Sequence, residues 1–174
     1  MSRRRIWARC LPRDRPASLT TDAAIRLRIA TPEDAPPLGR IWFEAWHSVR
    51  SADTDSAPFP LWVEKLRNRV ILSETVVLAE RAGESLGFMA LRFLETEALL
   101  HLMYVAPSAH RQGVGSMLLD DVKRRAPRGF RLYTLRDNTG ARRFYESHGL
   151  IIGKTFRQRS SGEIYLSYSW APTR

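Results

Sequence analysis

Residues Val105-Ala106-Pro107-Ser108-Ala109-His110-Arg111-Gln112-Gly113-Val114-Gly115-Ser116 carry the chain from an apolar strand through a proline-led loop into a helix. The first amides of a helix have no partners within it, so an anion placed there gains hydrogen bonds plus about 0.3 to 1 kcal/mol from the dipole. Phosphate is the natural occupant. Gly113 and Gly115 let a ligand approach the backbone without a Cβ in the way, and Arg111 adds a cation at the rim. Taken alone, the stretch reads equally as a tight strand-to-helix connection. It is not the nucleotide P-loop, since no Gly-Lys-Ser/Thr follows, and not the dinucleotide fingerprint, since the third glycine is missing.

Upstream, Ile25 to Ala30 alternates Ile25, Leu27, Ile29 with Arg26, Arg28, the period of a half-buried strand. Thr31-Pro32-Glu33-Asp34 carries the capping hydroxyl, proline and acids of a helix start, so a helix is expected toward His47, its beginning disturbed by Pro36 and Pro37. Ser51 to Pro60 reads as a loop, and a second helix as Leu61 to about Asn68. Thr75–Glu80, Ser85–Leu94 and Leu99–Val105 form an expected antiparallel meander around the turn Ala82-Gly83-Glu84.

Downstream, Val114, Leu118 and Val122 at spacing four continue a helix from Gly113 until Pro127-Arg128-Gly129. Arg131–Leu135 is a short strand, and Thr139–His148 a helix closed by Gly149 at the left-handed position. Ile151–Arg157 and Glu163–Trp170 are two closing strands, the second with Ile164, Leu166, Tyr168 and Trp170 on one face. The pattern is α/β, with no internal repeat.

The loop at 105–116, together with Asn138, Ala141, Phe144, Tyr145 and Gly149 after the intervening helix and strand, resembles the two successive motifs of the GNAT family of N-acetyltransferases. The first is Arg/Gln-x-x-Gly-x-Gly/Ala after a strand ending in valine, the second Asn-x-x-Ala-x-x-x-Tyr. One departure is that the first Arg/Gln position falls on His110, with Arg111 and Gln112 following. By the resemblance, main-chain amides hold the pyrophosphate, so that side chain is partly replaceable.

The resemblance implies a mixed, mainly antiparallel sheet of about seven strands flanked by helices and splayed between strands 4 and 5. Coenzyme A in its acetylated form is then the co-substrate. Pantetheine would pair along Met103 and Val105, and the phosphates would meet His110, Arg111, Gln112, Gly113, Val114, Gly115 and Ser116. The acetyl thioester would lie beside Leu102 to Tyr104, where a free amide stabilises the oxyanion. Asn138 would fix the cofactor or cap the following helix. Arg142 and Arg143 reach toward phosphates or stay solvated.

Acyl transfer to an amine needs an uncharged nucleophile and a proton for the departing thiolate. Tyr145 matches the family's general acid and, with an ordinary pKa of about 10, is protonated at neutral pH; its plain reading is a ring packed beside Phe144. A lysine-like amine costs about 4.6 kcal/mol to deprotonate at pH 7, an α-amine only about 1 to 1.4. His101 and Glu97 are the candidate bases, acting through a water, with a satisfied strand histidine and a solvated turn glutamate as the plain alternatives. Acceptor specificity is expected from Trp42, Trp46, His47, Asp53 and Asp55 and from the closing hairpin at Tyr165, although the two tryptophans also suit a core.

At 174 residues the chain has the size of one domain, expected over 25–174 after a basic leader at 1–24 carrying Arg3, Arg4, Arg5, Arg9, Arg13 and Arg15. That leader lacks the apolar run of a secretory signal; a transit peptide and a nucleic-acid-binding arm remain readings of it. The net charge of +10 is an arginine excess, since only Lys65, Lys123 and Lys154 are lysines. It favours polyanions without choosing among them. A single Cys10 excludes an internal disulfide and a paired-cysteine zinc site, lies far from both motifs, and fits a cytoplasmic location without a metal cofactor. No segment has the ~20 apolar residues of a membrane span.

The leading expectation is therefore acetyl-CoA-dependent transfer to a small-molecule or peptide amine by direct attack in a ternary complex. Its competitors are a non-catalytic acyl-CoA-sensing module and, with no recognisable motif, a nucleic-acid-binding protein.

Overall fold

The sheet is assembled from three kinds of connection, tight hairpins, one parallel crossover and one strand inserted out of order. A computed structural model describes residues 24–50, 57–159 and 161–172. The leader expected at 1–24, apart from Ala24, and the candidate residues Asp53 and Asp55 lie outside them.

The strands are β1 (Arg26–Ile29), β2 (Thr75–Arg81), β3 (Glu84–Phe93), β4 (Ala98–Val105), β5 (Phe130–Leu135), β6 (Ile151–Arg157) and β7 (Ile164–Trp170), in the order β1-β2-β3-β4-β5-β7-β6. The meander β2-β3-β4 is antiparallel as its spacing predicts, and β4 pairs with β5 in parallel. The β2–β3 turn is held by two residues at positive φ, Ala82 at 50° and Gly83 at 82°, which matches the twist of the flanking strands. Parallel pairing of β4 with β5 stops at Leu100↔Leu132, while β4 runs on to Val105 and β5 to Leu135. The sheet splays from there.

Helix α1 (Ala35–Ser48) starts later than Thr31, because Pro36 and Pro37 supply no amide hydrogens and Pro32–Asp34 turns as a 3-10 helix first. The Asp34 carboxylate accepts from the Thr31 amide at 2.8 Å and from Arg28 at 2.7 Å. The second helix is longer than expected. α2 (Phe59–Lys65) passes through a π-helical turn at Leu66–Val70 into α3 (Ile71–Ser73), with Leu66 and Val70 both buried. α4 (Val114–Arg125) and α5 (Thr139–Ser147) follow the predicted spacing, and Gly149 closes α5 at φ 79°.

Two apolar clusters sandwich the sheet. On one face Leu118, Leu119 and Val122 of α4 pack with Met89, Leu100 and Leu132; on the other Leu38, Ile41 and Trp42 of α1 pack with Val76, Phe88 and Leu102. Each fully buried aliphatic side chain contributes about 1.5 to 3 kcal/mol, so the site rests on two rigid walls. β6, expected from sequence as a closing strand, is exposed along its length because it is the sheet's edge.

Candidate active site

The splay opens a cavity of about 2140 Å³ between the diverging ends of β4 and β5, extending to α4 on one side and to α1 and α2 on the other. Ordinary ligand pockets hold about 300 to 1,000 Å³, so this one has room for two molecules.

Its α4 end is made of main chain. Arg111 at φ 62° and Gly113 at φ 82° turn the backbone so that successive amides converge at the helix start. Met117 is the first α4 residue to bond back, to the Gly113 carbonyl at 3.0 Å. Val114, Gly115 and Ser116 find no acceptor for their amides among the described residues. A Cβ at Gly115 would sit 3.3 Å from the Phe144 ring, so glycine is what lets α4 and α5 close here.

Met103, Val105, His110, Arg111, Gly113, Val114, Gly115, Ser116 and Asn138 all line the cavity, whereas Gln112 turns away to Arg81 at 2.8 Å and to the Ser108 carbonyl. The His110 Nε2 lies 3.2 Å from the Val105 carbonyl, and the Ser116 hydroxyl 2.9 Å from His148 Nε2. Asn138 Oδ1 accepts from the Ala141 amide at 3.0 Å, which makes it the cap of α5. Arg142 Nη1 bonds the Arg136 carbonyl at 3.1 Å.

Tyr145 faces the cavity from α5, its ring packed on Phe144 and Tyr168 at 5.4 and 5.9 Å between centroids. Burial, with a smaller contribution from Tyr104, pushes its phenol well above the ordinary value, so it stays protonated throughout the neutral range. His101 also lines the cavity, while Glu97 is absent from the lining and pairs with Arg131 at 2.7 Å. The two base candidates are thus not brought together.

The α1 end is made of side chains. Trp42, Trp46, Trp62, Tyr104 and Tyr165 line it, with Trp42 and Trp62 edge to face at 4.9 Å. Sequence reasoning missed its charged brace. Arg50 bonds both Glu163 oxygens at 2.8 and 3.3 Å and the Tyr165 hydroxyl at 3.1 Å while lying 3.8 Å over the Trp46 ring. Nothing at spacing one to four announces a pair separated by more than a hundred residues. Burial opposes the charge on Glu163, but the Arg50 hydrogen bond and charge outweigh it and hold the carboxyl below its ordinary value. Among the described residues no cluster of three His, Cys, Asp or Glu could hold a metal, and no helix is long and apolar enough to cross a membrane.

Residues 73–150 match the family model described as acetyltransferase (GNAT) domain. No curated protein matches the chain. Among solved structures, PaiA N-acetyltransferase from Thermoplasma acidophilum in complex with coenzyme A is 21% identical with a TM-score of 0.67, covering 84% of this chain and 99% of that one. Ard1 from Thermoplasma volcanium is 26% identical with a TM-score of 0.64, covering 83% and 96%. A GNAT-family acetyltransferase from Bacillus cereus is 14% identical with a TM-score of 0.68, covering 87% and 99%. The seven-stranded splayed sheet is the fold they share with this chain.

Proposed function

We propose, from the premise that this chain belongs to the GNAT family of acetyltransferases, that it moves an acetyl group from acetyl-CoA to a primary amine by direct attack in a ternary complex. The observation that carries the reading is a single cavity in which a stretch of β4 without a β5 partner leads to unbonded amides at the start of α4. That donor set fits a diphosphate: main-chain N–H groups and a helix N-terminus, with Arg111 beside them. Acetyl-CoA brings the activated acyl carbon.

The chain's own residues do the rest. Beyond Leu100 the outward main-chain groups of β4 have no β5 partner, leaving them to pair with an extended pantetheine arm and to donate to the acyl oxygen as charge develops on it. Tyr145, buried and protonated, donates its proton to the departing thiolate as the carbon–sulfur bond breaks. The amine gives up a proton as its nitrogen–carbon bond forms. His101 takes that proton, because it lines the cavity while Glu97, outside the lining, is committed to Arg131. The aromatic α1 end receives the body of the acceptor, a small molecule or peptide.

The test is thiol release from acetyl-CoA with a panel of alkylamines, amino acids, peptides and aminoglycosides, corrected for background hydrolysis. Release that rises with one class of amine is the expected result. Tight acetyl-CoA binding with no amine-dependent release would instead leave a module that senses acyl-CoA without turnover.

A further inference from the structure

His101 occupies the one position where β4 breaks step with its neighbour. Ala90 of β3 faces Leu102 and Leu91 faces Leu100, so His101 has no partner across the ladder. An extra residue of this kind bends a strand and re-aims a side chain. The consequence is visible on either side of it, since Leu100 joins the α4-side cluster and Leu102 the α1-side cluster.

The re-aimed imidazole lines the cavity and meets Glu74, the residue between α3 and β2. Its Nδ1 lies 2.9 and 3.0 Å from the two Glu74 oxygens. The Glu74 side chain is only 1% exposed, and Arg92 of β3 bonds the same carboxylate at 2.6 Å. Burial works against the charge on Glu74, but the hydrogen bonds from His101 and Arg92 prevail and hold its carboxyl below the ordinary value. An ionised carboxylate only accepts, so the proton of this contact sits on His101 Nδ1. A neutral ring protonated at Nδ1 has its lone pair on Nε2, and no described residue bonds that atom.

We propose that Glu74 is the positioning residue for His101, fixing the tautomer in which Nε2 is free to accept the proton of the acceptor amine. The proposal rests on the reading of His101 as the base. The amine nitrogen loses a proton to Nε2, directly or through a water, and the ring becomes an imidazolium still held at Nδ1 by Glu74. Glu74 itself takes no proton; it orients the ring and balances the new charge. Arg92, 3.5 Å from Nδ1, has no acceptor there once that nitrogen carries a hydrogen, and serves instead to hold the carboxylate through Oε1, the oxygen nearest His101 as well. From β5, the Arg131 guanidinium is held by Glu97.

Nitrogen-15 NMR of the histidine side chains in the full chain, with His101→Gln assigning the signal, reads the tautomer directly. The expected spectrum shows neutral His101 protonated at Nδ1, with this preference lost in Glu74→Gln. In parallel, turnover of the best amine from the panel should fall on the order of 100-fold or more in His101→Gln and by a comparable factor in Glu74→Gln. The double variant should be no worse than the poorer single one, and acetyl-CoA affinity should be unchanged in all three.

A wild-type signal protonated at Nε2 overturns the proposal whatever the kinetics, and does not depend on Glu74→Gln folding. An inactive His101→Gln beside a fully active Glu74→Gln overturns the positioning role and spares the base. Full activity in His101→Gln, or no amine that turns over, removes the base itself, and the proposal with it.

Discussion

The two ends of the cavity are built from different material. Toward α4 the cavity is lined by the unbonded amides of Val114, Gly115 and Ser116, aimed by backbone angles at Arg111 and Gly113. Toward α1 it is lined by the rings of Trp42, Trp46 and Trp62, with a brace of Arg50, Glu163 and Tyr165 joining the end of α1 to β7. A main-chain site presents the same donors whatever side chains surround it, which suits a ligand that never changes. A side-chain site changes with every substitution, which suits a partner that distinguishes one enzyme from another. Between the two stand Tyr145 and His101, the proposed acid and base.

The largest expected effect tests that acid. Tyr145→Phe keeps the ring packed against Phe144 and Tyr168 and removes only the hydroxyl, the proposed proton donor. Turnover should fall on the order of 100- to 10,000-fold, with acetyl-CoA affinity unchanged by calorimetry. Unaltered turnover would take Tyr145 out of the mechanism.

Next in size is the main-chain end. Gly115→Val pushes branched carbons into Phe144, where even a Cβ has 3.3 Å, and the helix start must shift. Overpacking of this kind costs about 1 to 3 kcal/mol, so the acetyl-CoA dissociation constant should rise on the order of 10- to 100-fold. His110→Ala and Gln112→Ala should change it only about 2- to 5-fold. If those two side chains matter as much as Gly115, the α4 end is not a main-chain site and the contrast fails.

This division also governs what was legible in the sequence. The α4 end could be read because its requirements are local: a strand ending at Val105, glycines at 113 and 115 and an apolar spacing of four through Val114, Leu118 and Val122. The splay could be placed only through the family resemblance. Glu74 was invisible, since its meeting with His101 depends on one extra residue in β4, and a period-2 pattern does not reveal where the ladder slips. Glu97 was read beside His101 as a candidate base, yet it sits at the closed end of β4, where β5 still pairs and Arg131 is within reach. The Arg50–Glu163 brace joins α1 to the closing hairpin, two elements whose approach no local signal encodes.

A smaller effect belongs to that brace. Glu163→Gln removes the charge from a pair whose arginine side chain is 9% exposed. The loss should lie between the ~1 kcal/mol of a surface pair and the ~3 kcal/mol of a buried one, with a raised KM for the amine and no change for acetyl-CoA. Because the folded carboxyl lies below its ordinary 4.5, its contribution is full above that pH and is lost as pH falls through the folded value. Denaturant unfolding should therefore separate wild type from Glu163→Gln more widely at pH 7 than at an acidic pH below 4.5. An equal gap at both pH values would mean that packing, not charge, holds the brace.

The smallest effect lies outside both ends, in the β2–β3 turn. Ala82 holds φ 50° next to Gly83 at 82°, a pair of angles that asparagine followed by glycine adopts far more readily. Ala82→Asn should raise stability by about 0.5 to 1 kcal/mol in denaturant unfolding, the strain of a non-glycine residue in the left-handed region being about 1 to 2 kcal/mol. Since the turn touches neither the amides of α4 nor the rings of α1, acetyl-CoA affinity and the KM for the amine should stay fixed while the unfolding midpoint moves. Were affinity to climb together with stability, the α4 site would be reporting how often the whole fold is intact rather than how its backbone is aimed, and Gly115→Val would have to be judged against its own loss of stability.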